Sequence, residues 1–133
     1  MTDSTALQAS LAFHRAWMAG DIDTALVHVD ATVVCDAPAG RLTGAAAFRE
    51  FIEPFSRILT GSRLHAAFGD DTTAVLVYDT TTRPVPHAPA AECHTVRDGK
   101  ITHVRIVFDR APFDAARAAG HLPPVRRAVQ RLR

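Results

Sequence analysis

Apolar residues recur at helical spacing along residues 5–19. Leu7, Leu11, Ala12, His14 and Met18 fall on neighbouring faces beside Phe13 and Trp17, which predicts an amphipathic first helix ended by Gly20. A short second helix is predicted over 22–29, with Ile22, Ala25, Leu26 and Val29 facing inward. Asp21 and Asp23 open it, where carboxylates suit the positive end of the helix dipole. The β-branched run Thr32, Val33, Val34 reads as a strand entering an apolar core, and Pro38 with Gly40 ends it by removing a donor and permitting a turn. Over 45–60, Phe48, Phe51, Ile52, Phe55 and Leu59 are spaced three, one, three and four apart. That is the period of a third amphipathic helix, with Pro54 expected to bend it.

From residue 62 the pattern switches from helical to alternating. Segments 63–68 and 73–82, joined by Gly69, Asp70 and Asp71, predict one hairpin. Residues 83–89, RPVPHAP, hold three prolines in seven positions and read as a stiff surface loop with a solvated His87. Segments 90–97 and 100–109 flank Asp98-Gly99, the favoured two-residue turn, and predict a second hairpin. Helices first, then antiparallel strands, with one strand inserted between helices, indicate an α+β domain whose curved sheet wraps the N-terminal helices. The domain is assigned to 1–119. The tail, 120–133, is read as a basic helix, with Val125, Val129 and Leu132 on one stripe and Arg126, Arg127, Arg131 and Arg133 elsewhere.

Composition narrows the partners. The 133 residues include 15 basic and 14 acidic ones, a formal charge of +1, so no overall field favours nucleic acid or an anionic membrane. Hydrophobic residues make up 47%, yet no run reaches the roughly 18 apolar residues of a membrane span. The N-terminal MTDSTALQAS lacks the basic start of a signal peptide, and a cytoplasmic location is expected. Cys35 and Cys93 are the only cysteines; outside any CxxC they are expected to be reduced and buried. A small, nearly neutral ligand fits this balance better than a macromolecule.

Three residues carry candidate chemistry. Asp36 stands at a strand end beside apolar side chains. It is either a turn former that caps local amides or a half-buried base whose pKa burial raises. On the strand after the proline-rich loop, Glu92 and His94 project to one side with Val96; alternation leaves open whether that side is concave or solvent-facing. On its partner strand Val104, Ile106 and Phe108 form an apolar face, opposite His103, Arg105 and Asp109. The seven histidines show no HExxH and no paired ligand spacing, and no GxSxG, GxGxxG or Walker pattern is present; neither metal nor cofactor is expected. Cys35 beside Asp36 reads as packing, because a neighbouring carboxylate disfavours the thiolate.

Taken together, GDID after the first helix, ATVVCDAPAG, the Gly44 that opens the third helix, and VRDGKITHVRIVFD resemble a nuclear transport factor 2-like (cystatin-like) domain over residues 5–113. The similarity is to its SnoaL-like branch, which includes ketosteroid isomerases, polyketide cyclases and limonene epoxide hydrolases, besides members that only bind ligands or partners. It implies a cone-shaped, curved antiparallel sheet closed by helices, a deep apolar pocket, and a homodimer through the outer sheet face. By resemblance to the isomerases, Asp36 falls at the base and Glu92 near the protonated acid that binds the enolate oxygen, a pairing known for that enzyme. Phe13 stands where the isomerases carry an oxyanion-binding tyrosine, so Tyr78 or His94 must supply that donor. The hydrolase pattern is incomplete, since Ile106 follows Arg105 where that strand would carry an acid. The implied activity is proton transfer on a hydrophobic carbonyl compound, with Asp36, Glu92 and His94 catalytic. Phe13, Trp17, Phe51, Phe55, Tyr78, Val104, Ile106 and Phe108 are the implied substrate contacts. The alternative is a non-catalytic domain that binds a ligand in the same pocket.

Overall fold

The central strand of the sheet has its side chains sorted by alternation alone. In Ala88–Arg97, Glu92, His94 and Val96 are buried while Ala91, Cys93 and Thr95 are only half-buried. A computed structural model describes residues 5–123, and this strand is the fifth of six. The elements are α1 (Thr5–Met18), α2 (Ile22–Val27), β1 (Val29–Ala37), β2 (Gly40–Thr43), α3 (Ala45–Ile58), β3 (Leu59–Gly69), β4 (Thr73–Thr82), β5 (Ala88–Arg97), β6 (Lys100–Phe108) and α4 (Ala111–Ala118). They form one sheet in the order β2-β1-β6-β5-β4-β3. All its joins are antiparallel except β1 with β6. The sheet is therefore mixed.

α1 crosses the inner face. Its buried stripe is Ala6, Ala9, Ser10, Phe13, His14 and Trp17, one step round from the expected one, and Leu7, Leu11 and Met18 flank it half-buried. Small residues at the first three positions let the helix approach the sheet, while the aromatic end fills the wider part. α2 is capped by Asp21, whose carboxylate accepts from the Thr24 N–H at 3.2 Å. It stops at Val27, and Val29, expected in its inner face, instead begins β1. Pro54 lies within a single continuous helix. The Asp98-Gly99 turn has both residues at positive φ, 52° and 77°, the conformation a two-residue hairpin requires.

Four elements differ from the expected reading, two by being added and two by starting earlier. β2 returns from the Pro38 turn to pair with β1, β3 starts at Leu59 and β5 at Ala88, and α4 follows the last strand. Pro112 supplies the first turn of α4, and Gly120 follows it at φ 81°. Phe113 on α4 is buried with Val85 and Ala88 in a second small core, packed against Phe55, Phe108 and Leu122. The predicted helical stripe at residues 125–132 lies outside the described residues. Among the described residues no helix is long and apolar enough to cross a membrane.

Candidate functional site

Helices α1, α3 and α4 stand off the concave face far enough to leave a cavity of about 450 Å³. All eight expected contact residues line it: Phe13 and Trp17 from α1, Phe51 and Phe55 from α3, Tyr78 from β4, and Val104, Ile106 and Phe108 from β6. Their positions follow from one-sided alternation in β4 and β6 and from the helical stripe in α3. Aromatic edges lock the walls: Phe13 stacks on Phe48 at 5.8 Å, and Phe55 meets Trp17 at 5.9 Å and Phe113 at 5.7 Å between ring centroids.

One polar locus interrupts the apolar interior. Glu92 sits on β5 between Leu76 and Ile106, lines the cavity and is 3% exposed. The Tyr78 hydroxyl donates a short hydrogen bond to Glu92 Oε2, and His94 Nε2 lies 2.8 Å from Oε1. An ionised carboxylate only accepts, so Nε2 carries a hydrogen, while Nδ1 meets Ser10 Oγ at 2.8 Å. Ser10, His94, Glu92 and Tyr78 thus form one buried chain across α1, β5 and β4. Burial pushes the Glu92 carboxyl up, but the hydrogen bond and charge from His94, with the Tyr78 hydroxyl, outweigh it and hold the group below its ordinary value. Burial, and then the charge and hydrogen bond of Glu92, raise Tyr78 well above the ordinary phenol value, so it stays protonated. His14 packs edge-on against the Tyr78 ring at 4.7 Å and is lowered by burial. Thr80 also lines the cavity, with its hydroxyl already given to Ala88 O at 2.8 Å.

Asp36 stands elsewhere. In β1 the side chains of Val33, Cys35 and Ala37 turn inward, and the β1 and β6 register sets Cys35 beside Val104 and Asp36 beside Arg105. Asp36 therefore lies on the outer face, and the expectation of a cavity base at this position is corrected. The carboxylate is 3% exposed, covered by the side chains that bind it. Arg41 approaches through Nε at 2.7 Å and a second nitrogen at 3.2 Å, His103 Nε2 lies at 2.8 Å, and Arg105 at 3.7 Å. Hydrogen bonds from Arg41 and then His103 lower its pKa to about 2, opposite to the rise expected from burial. The same alternation accounts for both results, since the strand end offered two faces and the cations stood on the outer one. Burial pushes the Cys35 thiol up, in keeping with a packing role.

Sequence reasoning passed over Ser10, Leu42, Phe113 and the charged rim of the cavity. Ser10 was legible as the one hydroxyl four residues from both Ala6 and His14 on the buried stripe of α1. Phe113 was legible from a proline-started, glycine-stopped alanine-rich segment. Among the described residues no group of three His, Cys, Asp or Glu side chains is placed to hold a metal ion.

Helices packed in the concavity of a curved, unclosed six-stranded sheet define a nuclear transport factor 2-like protein, and solved structures of that fold superpose on this one. The chain belongs to the SnoaL-like domain family, whose sequence model matches residues 11–104. A protein of known crystal structure from Kribbella flavida is 62% identical over 89% of this chain and 98% of its own, with a TM-score of 0.85. A steroid delta-isomerase from Pseudomonas aeruginosa shares the fold at 13% identity, covering 90% of this chain and 96% of its own with a TM-score of 0.71. TerC, crystallised with polyporic acid, is 23% identical over 84% and 97% of the two chains with a TM-score of 0.67. No curated protein matches the sequence.

Proposed function

We propose that this protein takes a hydrophobic carbonyl compound into the cavity and moves a proton on it, in the manner of an isomerase or polyketide cyclase, with Glu92 as the acid-base group. One observation carries the reading: a carboxylate held ionised by His94 and Tyr78 lines the aromatic-walled interior of a cavity. Structures of the same fold include a steroid isomerase and a protein crystallised with polyporic acid, which supports the substrate class.

Glu92 takes a proton from carbon beside the carbonyl, and the C–H electron pair becomes the enolate. Neutralised Glu92 holds the Tyr78 hydroxyl less strongly, and that hydroxyl turns its hydrogen bond to the enolate oxygen. Glu92 then returns the proton to another carbon, which isomerises the substrate. In a cyclisation the enolate instead attacks a second carbonyl, and Glu92 protonates the new alkoxide. His94 positions the carboxylate and touches no substrate, since it is absent from the cavity wall. A low pKa makes Glu92 a weak base in the empty protein; a ligand that displaces cavity water strengthens it by removing solvation of its charge.

Solvent deuterium uptake into 2-tetralone, followed by NMR, tests the step without knowledge of the natural substrate. Glu92→Gln is expected to lower the protein-dependent rate by about a hundredfold or more, the usual scale of general acid-base catalysis. Full exchange in that variant would sink the proposal. Both Glu92 oxygens are already hydrogen-bonded, which favours a second reading, ligand binding without turnover; tetralone binding with no exchange above buffer selects it.

The outer sheet face suits a second copy of the chain. Phe68, Val75, Val77 and Val107 are 71%, 39%, 40% and 54% exposed, and they lie on adjoining strands, with Phe68 opposite Val75 and Val77 and Val107 both opposite Ala91. An exposed apolar group of this kind on one face supports a homodimer formed there.

A further inference from the structure

The mouth of the cavity carries charge that its own residues leave unmatched. Three arginines, Arg57, Arg110 and Arg117, line it with two acids, Glu50 and Asp114. Asp114 serves both Arg110, which caps α4, and Arg117 within it: it accepts from Arg110 Nε at 3.1 Å, and its other oxygen lies 3.6 Å from Arg117. Arg57 sits 3.2 Å from Glu53, a carboxylate that also takes Arg49 at 3.1 Å. Arg117 is the least served. Its side chain is only 34% exposed, and at 3.6 Å its contact with Asp114 is an ion pair beyond hydrogen-bond length. Among the described residues its guanidinium donates no hydrogen bond, although it presents five N–H groups in a planar fork made for a carboxylate. A half-buried guanidinium whose N–H groups are uncommitted gains a charge-assisted hydrogen bond from an anion that reaches it.

We infer that the ligand is polar at both ends: a ring system that fills the aromatic middle of the cavity, a hydroxyl or enolisable carbonyl at Glu92 and Tyr78, and a carboxylate at the mouth on Arg117, with Arg110 beside it. The inner end rests on the reading of Glu92 given above; the outer end rests on α4 alone. An acidic aromatic or polyketide-like compound matches this pattern, whereas a neutral steroid-like ring system satisfies only the floor. The arrangement also sets orientation. A carboxylate fixed at the rim directs the opposite end of the ring system at Glu92, so that binding energy far from the reacting carbon positions it.

Calorimetric titration with 2-naphthol and with 6-hydroxy-2-naphthoic acid tests this, because the two differ only in the carboxylate. The acid is expected to bind native protein about tenfold more tightly or better, the scale of a charge-assisted bidentate pair, with the advantage shrinking as salt rises. In Arg117→Gln the ratio of the two affinities is expected to fall toward one, and in Arg117→Lys to keep an intermediate value. Should Arg117→Gln fail to fold by circular dichroism, Arg117→Lys and Arg110→Gln read the same ratio. Equal binding of the two ligands by native protein overturns the inference, as does an Arg117→Gln that weakens both by one factor. Glu92→Gln separates the two proposals. If 2-naphthol binding needs Glu92 and the carboxylate adds nothing, the rim proposal fails alone; if 2-naphthol ignores Glu92 while the carboxylate still gains through Arg117, the floor reading fails alone. Absence of binding by either ligand overturns both.

Discussion

Asp36→Asn separates an ion-pair role from a catalytic one. In the folded protein Asp36 titrates at about 2, against about 3.9 for an unfolded aspartate. At about 1.4 kcal/mol per unit the difference corresponds to at most about 3 kcal/mol of folding stability. The carboxylate itself is buried, but Arg41 and Arg105 are 50% and 61% exposed, so solvent screens part of the attraction and about 1–2 kcal/mol is the expected loss. The sign is fixed by the lowered pKa. The contribution is complete above the unfolded value and disappears as pH falls from about 4 through about 2, where the native carboxylate is finally protonated. Urea unfolding of both proteins from pH 7 to pH 2 measures this. The curves should lie apart at pH 7 and converge at the acid end, with the native protein losing more stability across that window. Deuterium uptake into 2-tetralone and naphthol binding should persist in the variant, since Asp36 does not reach the cavity. Equal stability at pH 7 with parallel pH curves refutes the ion-pair account, and loss of exchange without loss of stability returns Asp36 to the chemistry.

Two further outcomes follow from the same geometry. Ser10→Ala leaves the buried Nδ1 of His94 without a partner and should cost about 1–3 kcal/mol in unfolding experiments; it should also change the nitrogen-15 shift of Nδ1, because that nitrogen loses its hydrogen bond while Glu92 still holds Nε2, and unaltered shifts count against the buried chain. Val107→Glu places a charge in the exposed apolar face of β6 and should convert a dimer to a monomer in sedimentation velocity at micromolar concentration, while a native protein that sediments as a monomer removes the second-copy proposal.

What could be read from the chain divides according to whether one local rule or two decided it. The Asp98-Gly99 hairpin, the helical stripe of α3 and the switch from helical to alternating period each rest on a single strong signal, and each appears in the fold, the switch at Leu59 rather than at residue 62. The faces of β1 do not, because Cys35, Asp36 and Ala37 are all buried, the outward one beneath cations from β2 and β6. Burial of an acid at a strand end therefore says nothing about which side it faces; the parallel register with β6 decides it, and register is a long-range fact. Glu92 and His94 posed the same ambiguity with the opposite outcome. Their strand became central, and α1 laid Ser10 over His94 at a separation of 84 residues, so the polar pair was drawn inside with its partners supplied. The cost of burying a carboxylate is met there by His94 and Tyr78 from within the core, while at Asp36 two guanidiniums and an imidazole hold the charge in place on the outside. Both acids are buried and both titrate low. Only the one whose partners come from within the core is placed to exchange a proton with something that enters the cone.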